Sequence, residues 1–386
     1  MIHCDETIDD CIDLGGTLRS SSPIDTLSRI KPLLKAFGIT RVANVTGLDT
    51  IGIPVATCIR PNAKHLSVSQ GKGVTWALAE ISAIMESIEG YHAENPRQPD
   101  LLGSYAQLKN DYPVISPLVF HGGILSSEAL ETQALGWVRA LELNTQHTAY
   151  IPHILTCLDS SQCQSDHFRF AVTSNGLAAG NCLDEAICHG LYEVIERDAL
   201  YHWWQMTASE QQDCQVRLSS IDAGVNQSLL HKIEAANLSV RLWDITPTSN
   251  IPTYRCEIGD NDLARNLGAF VGSGTHLSKD IALSRAVTEA AQVRLTLITG
   301  SRDDVFPAFY QDRRQTNGLS PCLEGVVDFN QREQLSIGTS LRENKAQILQ
   351  RLQQQGHERV LLVDHTKALW DVPVVHVFVP GLRHGS

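Results

Sequence analysis

The sequence predicts a mixed α/β (α+β) fold, and three observations carry that expectation. Short apolar and β-branched runs alternate with long helix-period segments along the chain. Hydrophobic residues make up 42% of the chain and charged residues 19%, which allows a large packed core and argues against disorder. A glycine-rich stretch precedes a long helix three times, at 71–73, 174–180 and 272–274.

Residues 1–20 read as a loose N-terminal lead-in. Ser22-Pro23 opens a helix from Ile24 to Phe37, with Asp25 in its first turn and Gly38 ending it. Strand-like segments follow at 41–44 and 53–59, then a basic turn (60–65) and a lead into the loop Gly71-Lys72-Gly73. A helix is expected from Thr75 to Glu94. Prolines 96, 99, 113 and 117 mark 95–125 as turn-rich, and 128–160 reads as a linker strand region. Loop Ser174-Asn175-Gly176 precedes a helix from Leu183 to Trp204. A helix at 228–236 and a strand at 240–245 come next. Loop Gly272-Ser273-Gly274 precedes a helix from Lys279 to Thr299. A polar helix (341–355) and strands at 359–364 and 372–379 complete the chain.

The formal net charge of −12 makes the 386-residue chain a poor holder of a nucleic-acid backbone and a better holder of cations. The N-terminus lacks the apolar core of a signal peptide, and no apolar run is long enough to span a bilayer, so a cytoplasmic protein is expected. Ten cysteines show no CxxC spacing. Cys157 with Cys163 is the nearest to a pair, Cys182 and Cys188 lie near a helix, and all are expected as reduced thiols. His92, His121, His189 and His202 have no ligand spacing and read as structural or surface groups, with His189 placed near the site by its helix position.

The three helices superpose without gaps. Gly73 leads to Ala79, Ala83, Glu86 and Glu89. Gly180 leads to Ala186, Gly190, Glu193 and Glu196. Gly274 leads, after a longer lead-in, to Ala282, Ala286, Glu289 and Gln292. Small residues four apart permit close helix packing, and acids three apart fall on one stripe. Three similar helices are therefore expected around one site. Glu185 and Glu196 lie roughly 20° apart around their helix, and Glu193 lies about 80° from Glu185. Clustered carboxylates are costly unless cations neutralise them. Hard cations suit oxygen ligands, and Mg²⁺ often binds together with phosphate. Leu191, Val194, Ile195 and Leu200 flank the acids of the second helix, so a solvated face is a poor reading there. Arg197 and Arg285 are the basic partners. Read alone, Arg285 and Glu289 would be an i, i+4 ion pair. Gly71-Lys72-Gly73 is not a Walker A loop, although a Gly-rich turn before a helix can present N–H groups to phosphate.

These residues resemble the YcaO family. The segments that carry the resemblance are Ser69-Gln-Gly-Lys-Gly73 with Ser82, Ala83, Glu86 and Glu89; Ser174-Asn-Gly-Leu-Ala-Ala-Gly-Asn181 through Asp184-Glu185-Ala186 to Glu193-Val-Ile-Glu-Arg-Asp198; and Ala282-Leu-Ser-Arg-Ala-Val-Thr-Glu289 through Gln292, Arg294 and Gly300-Ser-Arg-Asp-Asp304. Fainter echoes are 46–54 and 379–382. The resemblance implies one domain over 1–386 that binds ATP with Mg²⁺. By motif position, Glu86, Glu89, Glu193 and Glu196 are the expected Mg²⁺ ligands, with Glu185 and Glu289 in the same acidic cluster. Asn181, Arg197 and Arg285 are expected nucleotide contacts. So are Arg19 and Thr26, which match a family spacing of a basic residue and a hydroxyl seven later, and Lys72 beside them.

The resemblance further implies that a peptide backbone amide is activated as an O-phosphorylated species. A Cys, Ser or Thr of the substrate then gives an azoline, and an external sulfide gives a thioamide. Azoline-forming members commonly end in a PxPxP tail, whereas this sequence ends Val-Pro-Gly-Leu-Arg-His-Gly-Ser386. The expectation is therefore thioamide formation on a ribosomal peptide or protein with a TfuA-like partner. No fused leader-peptide-binding domain is visible, so a separate recognition protein is expected, and a homodimer is possible. The competing readings are an azoline-forming cyclodehydratase and a non-catalytic ATP-binding scaffold.

Overall fold

Two of the three glycine-rich stretches are strand rather than loop. The computed structural model describes residues 10–120, 127–161, 170, 172–261, 267–306, 310 and 324–383. His121, Cys163, residues 1–9 of the lead-in and residues 384–386 lie outside them. Gly71 lies in the strand Val68–Lys72, and Gly272 and Gly274 lie in the strand Phe270–Thr275. Their role is close approach. A Cβ on Gly71 would meet Ala83 N at 2.0 Å and Ala79 O at 2.3 Å, and one on Gly272 would meet Ala290 N at 2.2 Å. Gly180, just after the strand Leu177–Ala179, would meet Ala186 N at 2.5 Å. The repeated small residues thus let each strand touch the backbone of its helix, so the Gly71-Lys72-Gly73 phosphate loop does not exist as a loop.

The three helices are Trp76–Glu94, Leu183–Gln205 and Lys279–Thr299. Thr75 and Ser278 cap the first and third through their hydroxyls, and Gly300, in the left-handed conformation, ends the third. Each helix covers an antiparallel sheet. The first lies on Arg41–Asn44, Val55–Ile59 and Val68–Lys72. The third lies on Leu238–Asp244, Thr253–Asp260 and Phe270–Thr275. The second lies against a larger sheet ordered Leu101–Ser104, Ala134–Glu142, Leu361–Asp364, Val374–Phe378, Leu177–Ala179, with Thr148–Pro152 paired to Ala134–Glu142. Among the described residues every strand-to-strand ladder is antiparallel, with isolated parallel bridges only at Val114–Tyr150 and Val216–Val327, so the mixed fold is of the α+β kind.

Several elements depart from expectation. The first helix is Pro23–Ile30, followed by a 3-10 turn at Lys31–Leu33, because Pro32 interrupts the α-helical ladder. The region read as a linker supplies Ala134–Glu142, an interior strand whose Trp137 is fully buried. Thr253–Asp260, unpredicted, is the middle strand of its sheet. The helix expected at 228–236 begins earlier, at Gly224. Residues 10–20 are not loose, since Ile12–Asp13 and Leu18–Arg19 form a small hairpin. Cys157 and Cys188 are buried thiols, Cys182 is half-buried, and burial pushes the Cys188 thiol well up.

Candidate active site

The residue just before the aligned glycine of each unit contacts an acid on another unit's helix. Lys72 Nζ lies 2.6 Å from Glu289, joining the first unit to the third. Ser273 Oγ donates to Glu196 at 2.8 Å, joining the third to the second. The Ala179 N–H donates to Glu89 at 2.7 Å, joining the second to the first. The ring closes, and the three acidic stripes face one cleft of about 470 Å³. All twelve residues singled out from the sequence line it.

One end is built by the N-terminal hairpin and the helix after it. Arg19 Nε lies 3.7 Å from Glu185, and Ser20 donates to Glu185 through its N–H (3.0 Å) and its hydroxyl (2.9 Å). Thr26 Oγ1 donates to Asn181 Oδ1 at 2.8 Å, and Arg29 donates to the same oxygen at 3.0 Å. Asn181 in turn donates to Glu185. Arg19 and Thr26, seven apart in sequence, therefore meet the start of the second helix together.

Burial sets the protonation of most of the cleft carboxylates. Burial pushes the Glu86 carboxyl up to about 7, although Lys72 and Arg302 draw it down. Burial and its neighbours Arg197 and Glu196, acting in opposite directions, leave Glu193 at about 6. Burial also pushes Glu89 well up, against the Ala179 N–H. Glu289 goes the other way: burial would raise it, but Lys72, Arg197 and Arg285 hold it below its usual range. Arg197 stands 3.7 Å from Glu193 and 3.8 Å from Glu196, and these acids with Glu289 keep its guanidinium charged despite burial. Glu289 pairs with Lys72 rather than in the i, i+4 pair with Arg285 that helical spacing read alone would give, and Arg285 reaches His189 Nε2 at 3.4 Å.

The donor set fits a magnesium nucleotide. It offers carboxylate oxygens without thiolates, and burial raises three of its acids, Glu86, Glu89 and Glu193. Among the described residues no three His, Cys, Asp or Glu side chains stand together as a ready metal cage.

Sequence reasoning missed Ser20, Arg29, Ser273 and Arg302. His189, read as structural although near the site by its helix position, lines the cleft with a hydrogen bond to the Ala179 backbone; burial, then Arg285 and Arg19, hold it neutral. Its place one turn from both Glu185 and Glu193 was the available signal. His92 is buried against Phe37 and Trp370, and His202 is exposed near Asp198, as structural or surface groups should be.

Interleaved carboxylates and cations from three repeated helices line the cleft, and the comparisons identify the class of protein that carries it. The family model "YcaO cyclodehydratase, ATP- and Mg²⁺-binding" matches residues 70–383, and the chain belongs to the YcaO family, whose domain binds ATP and Mg²⁺. An uncharacterized protein of Methanothermobacter thermautotrophicus is 33% identical over 372 residues, 94% of each chain. An uncharacterized protein in the tfuA 3′ region of Rhizobium leguminosarum bv. trifolii is 31% identical over 95% of this chain and 88% of its own. Among solved structures, YcaO from Methanopyrus kandleri bound with AMPPCP and Mg²⁺ superposes with a TM-score of 0.75 at 22% identity, covering 97% of this chain and 95% of that one. A heterocyclase in complex with substrate and cofactor superposes at 0.78 and 22% identity; 97% of this chain matches 55% of that chain, so this chain spans about half its length. No helix among the described residues is long and apolar enough to cross a membrane.

Proposed function

We propose that this chain, acting as one domain, uses ATP and Mg²⁺ to phosphorylate the oxygen of a peptide backbone amide in a ribosomal peptide or protein. The observation that carries the reading is the closed ring Lys72–Glu289, Ser273–Glu196 and Ala179–Glu89, which turns three acidic helices onto one cleft. Glu86, Glu89, Glu193 and Glu196 would hold Mg²⁺, which neutralises phosphate charge when bound. Asn181, Glu185, Arg19 and Thr26 would meet the nucleoside end, and Lys72, Arg197, Arg285 and Glu289 the phosphate path. An amide carbon is a poor electrophile, and turning its oxygen into a phosphate makes a leaving group. The protein contributes orientation and preorganised charge.

In the favoured form, the amide oxygen attacks the terminal phosphorus and ADP departs. Sulfide adds to the amide carbon, and phosphate leaves with the former amide oxygen, giving a thioamide. The Rhizobium relative beside tfuA supports this form and a TfuA-like partner. The family description and the similar heterocyclase support a second form, in which a Cys, Ser or Thr side chain attacks and an azoline results.

Calorimetric titration of ATP with and without Mg²⁺ tests the site. Binding should require Mg²⁺ and disappear in Glu196→Gln; Mg²⁺-independent binding, or full binding by the variant, would refute it. Mass spectra of peptides treated with enzyme, ATP, partner and sulfide separate the two forms. Exchange of oxygen for sulfur supports the thioamide, and loss of water supports the azoline.

A further inference from the structure

Arg302 belongs to the segment Gly300-Ser-Arg-Asp-Asp304, for which the nucleotide site as described has no use. The loop is built to aim this residue. Gly300 turns the chain out of the third helix at φ +56°, and the Thr299 and Ser301 hydroxyls lie 3.0 Å apart. Asp303 pins the loop to the start of the first unit's strand, accepting from the Ser67 N–H at 2.7 Å and its hydroxyl at 2.8 Å. Asp304 clasps one edge of the guanidinium, with Nε at 2.9 Å and Nη2 at 2.5 Å. Among the described residues Nη1 has no hydrogen-bond partner. The side chain is one-quarter exposed, lines the cleft, and lies close enough to Glu86 to shift its protonation. A planar cation fixed along one edge offers the other to an oxyanion.

Its position gives the cleft a direction. The N-terminal hairpin sits at the Val74 end of the first unit's strand, where a Cβ on Gly16 would meet Val74 and Ser284 at 3.1 Å each. Arg302 sits at the Ser67 end. At about 3.3 Å per residue these ends are roughly 20 Å apart, with the glutamates between them. If the nucleoside lies by Arg19 and Thr26, the triphosphate must run past the acids toward Ser67.

We infer that Arg302 is a catalytic residue that binds the terminal phosphoryl group at the far end of the cleft, where that group is passed to the peptide oxygen. The inference rests on the nucleotide reading proposed above. It makes Arg302 a sensor of the third phosphate, because ADP ends short of it.

The test is calorimetric titration of Mg-ATP and Mg-ADP into wild type and Arg302→Gln. The variant should lose about tenfold in Mg-ATP affinity, the size of one charge-assisted hydrogen bond, and less than about twofold in Mg-ADP affinity. Asp303→Asn, which unpins the loop and leaves the guanidinium in place, should show the same selective loss at smaller size. Equal loss of both nucleotides would reduce Arg302 to a counter-ion for Glu86, and unchanged binding would remove it from the site; either overturns the inference. If Arg302→Gln does not fold, Arg302→Lys, which keeps the charge and loses the two-pronged clasp, gives the same ATP-to-ADP ratio. Failure of wild type to bind Mg-ATP at all would instead strike the proposed function.

Discussion

The third helix carries two ionic clusters that differ in kind. At Arg294 the guanidinium is buried, and Nε bonds Asp49 at 3.0 Å while Nη1 and Nη2 bond Asp260 at 3.0 and 3.1 Å. Its plane also lies 5.3 Å over Phe270. Donors and acceptors are matched, and nothing further is needed. One to three turns earlier, Glu289 and Arg285 face the cleft, where Arg197 reaches Glu193 and Glu196 only at 3.7 and 3.8 Å and Glu86 and Glu89 are raised. The first cluster is saturated by the chain itself. In the second, burial keeps Glu86, Glu89 and Glu193 raised despite the nearby cations, the pattern expected where a bound cation would complete the charge.

Arg294→Ala should produce the largest effect on folding. It strands Asp49 and Asp260 in a buried setting, so a loss of about 3–5 kcal/mol is expected in denaturant unfolding. Mg-ATP affinity of the molecules that remain folded should be unchanged; a large drop in affinity without loss of stability would erase the distinction between the clusters.

Glu86→Gln should have the opposite sign. It removes a poorly compensated, half-buried charge, so the ligand-free protein should gain about 2 kcal/mol at pH 8 while its Mg²⁺-dependent ATP binding weakens. Destabilisation at pH 8 in the absence of Mg²⁺ would mean that Glu86 is already satisfied by the fold.

The smallest effect expected is a pH slope. Glu86 at about 7 and Glu193 at about 6 in the folded chain, against 4.5 for an ordinary glutamate, hold protons that the unfolded chain has released. Ligand-free stability from these groups is therefore full below about pH 4.5 and is lost as pH rises toward 7, with Glu289 acting in the reverse sense. Mg²⁺ needs the ionised acids, so Mg-ATP should bind more tightly at pH 8 than at pH 6. Melting curves at pH 5 and 8 in EDTA, and titrations at pH 6 and 8, read both signs. A flat profile would place the carboxylates in water.

The sequence by itself determined the three acidic helices, because period 3.6 and the recurring small-small-acid-acid spacing are local properties of the chain. Trp76–Glu94, Leu183–Gln205 and Lys279–Thr299 fall within a residue of expectation. Helix stripe and motif together also reached the twelve cleft residues. The glycines are special as expected, but those of the first and third stretches lie in strands rather than loops, since a strand–helix backbone contact and a turn both ask for a missing Cβ. Ser20, Ser273 and the Ala179 N–H could not be found that way. Their bonds to Glu185, Glu196 and Glu89 join residues 165, 77 and 90 apart in the chain. Only tertiary structure decided those pairings, and with them the imbalance of charge, because whether an acid is satisfied depends on what other segments bring within hydrogen-bonding distance.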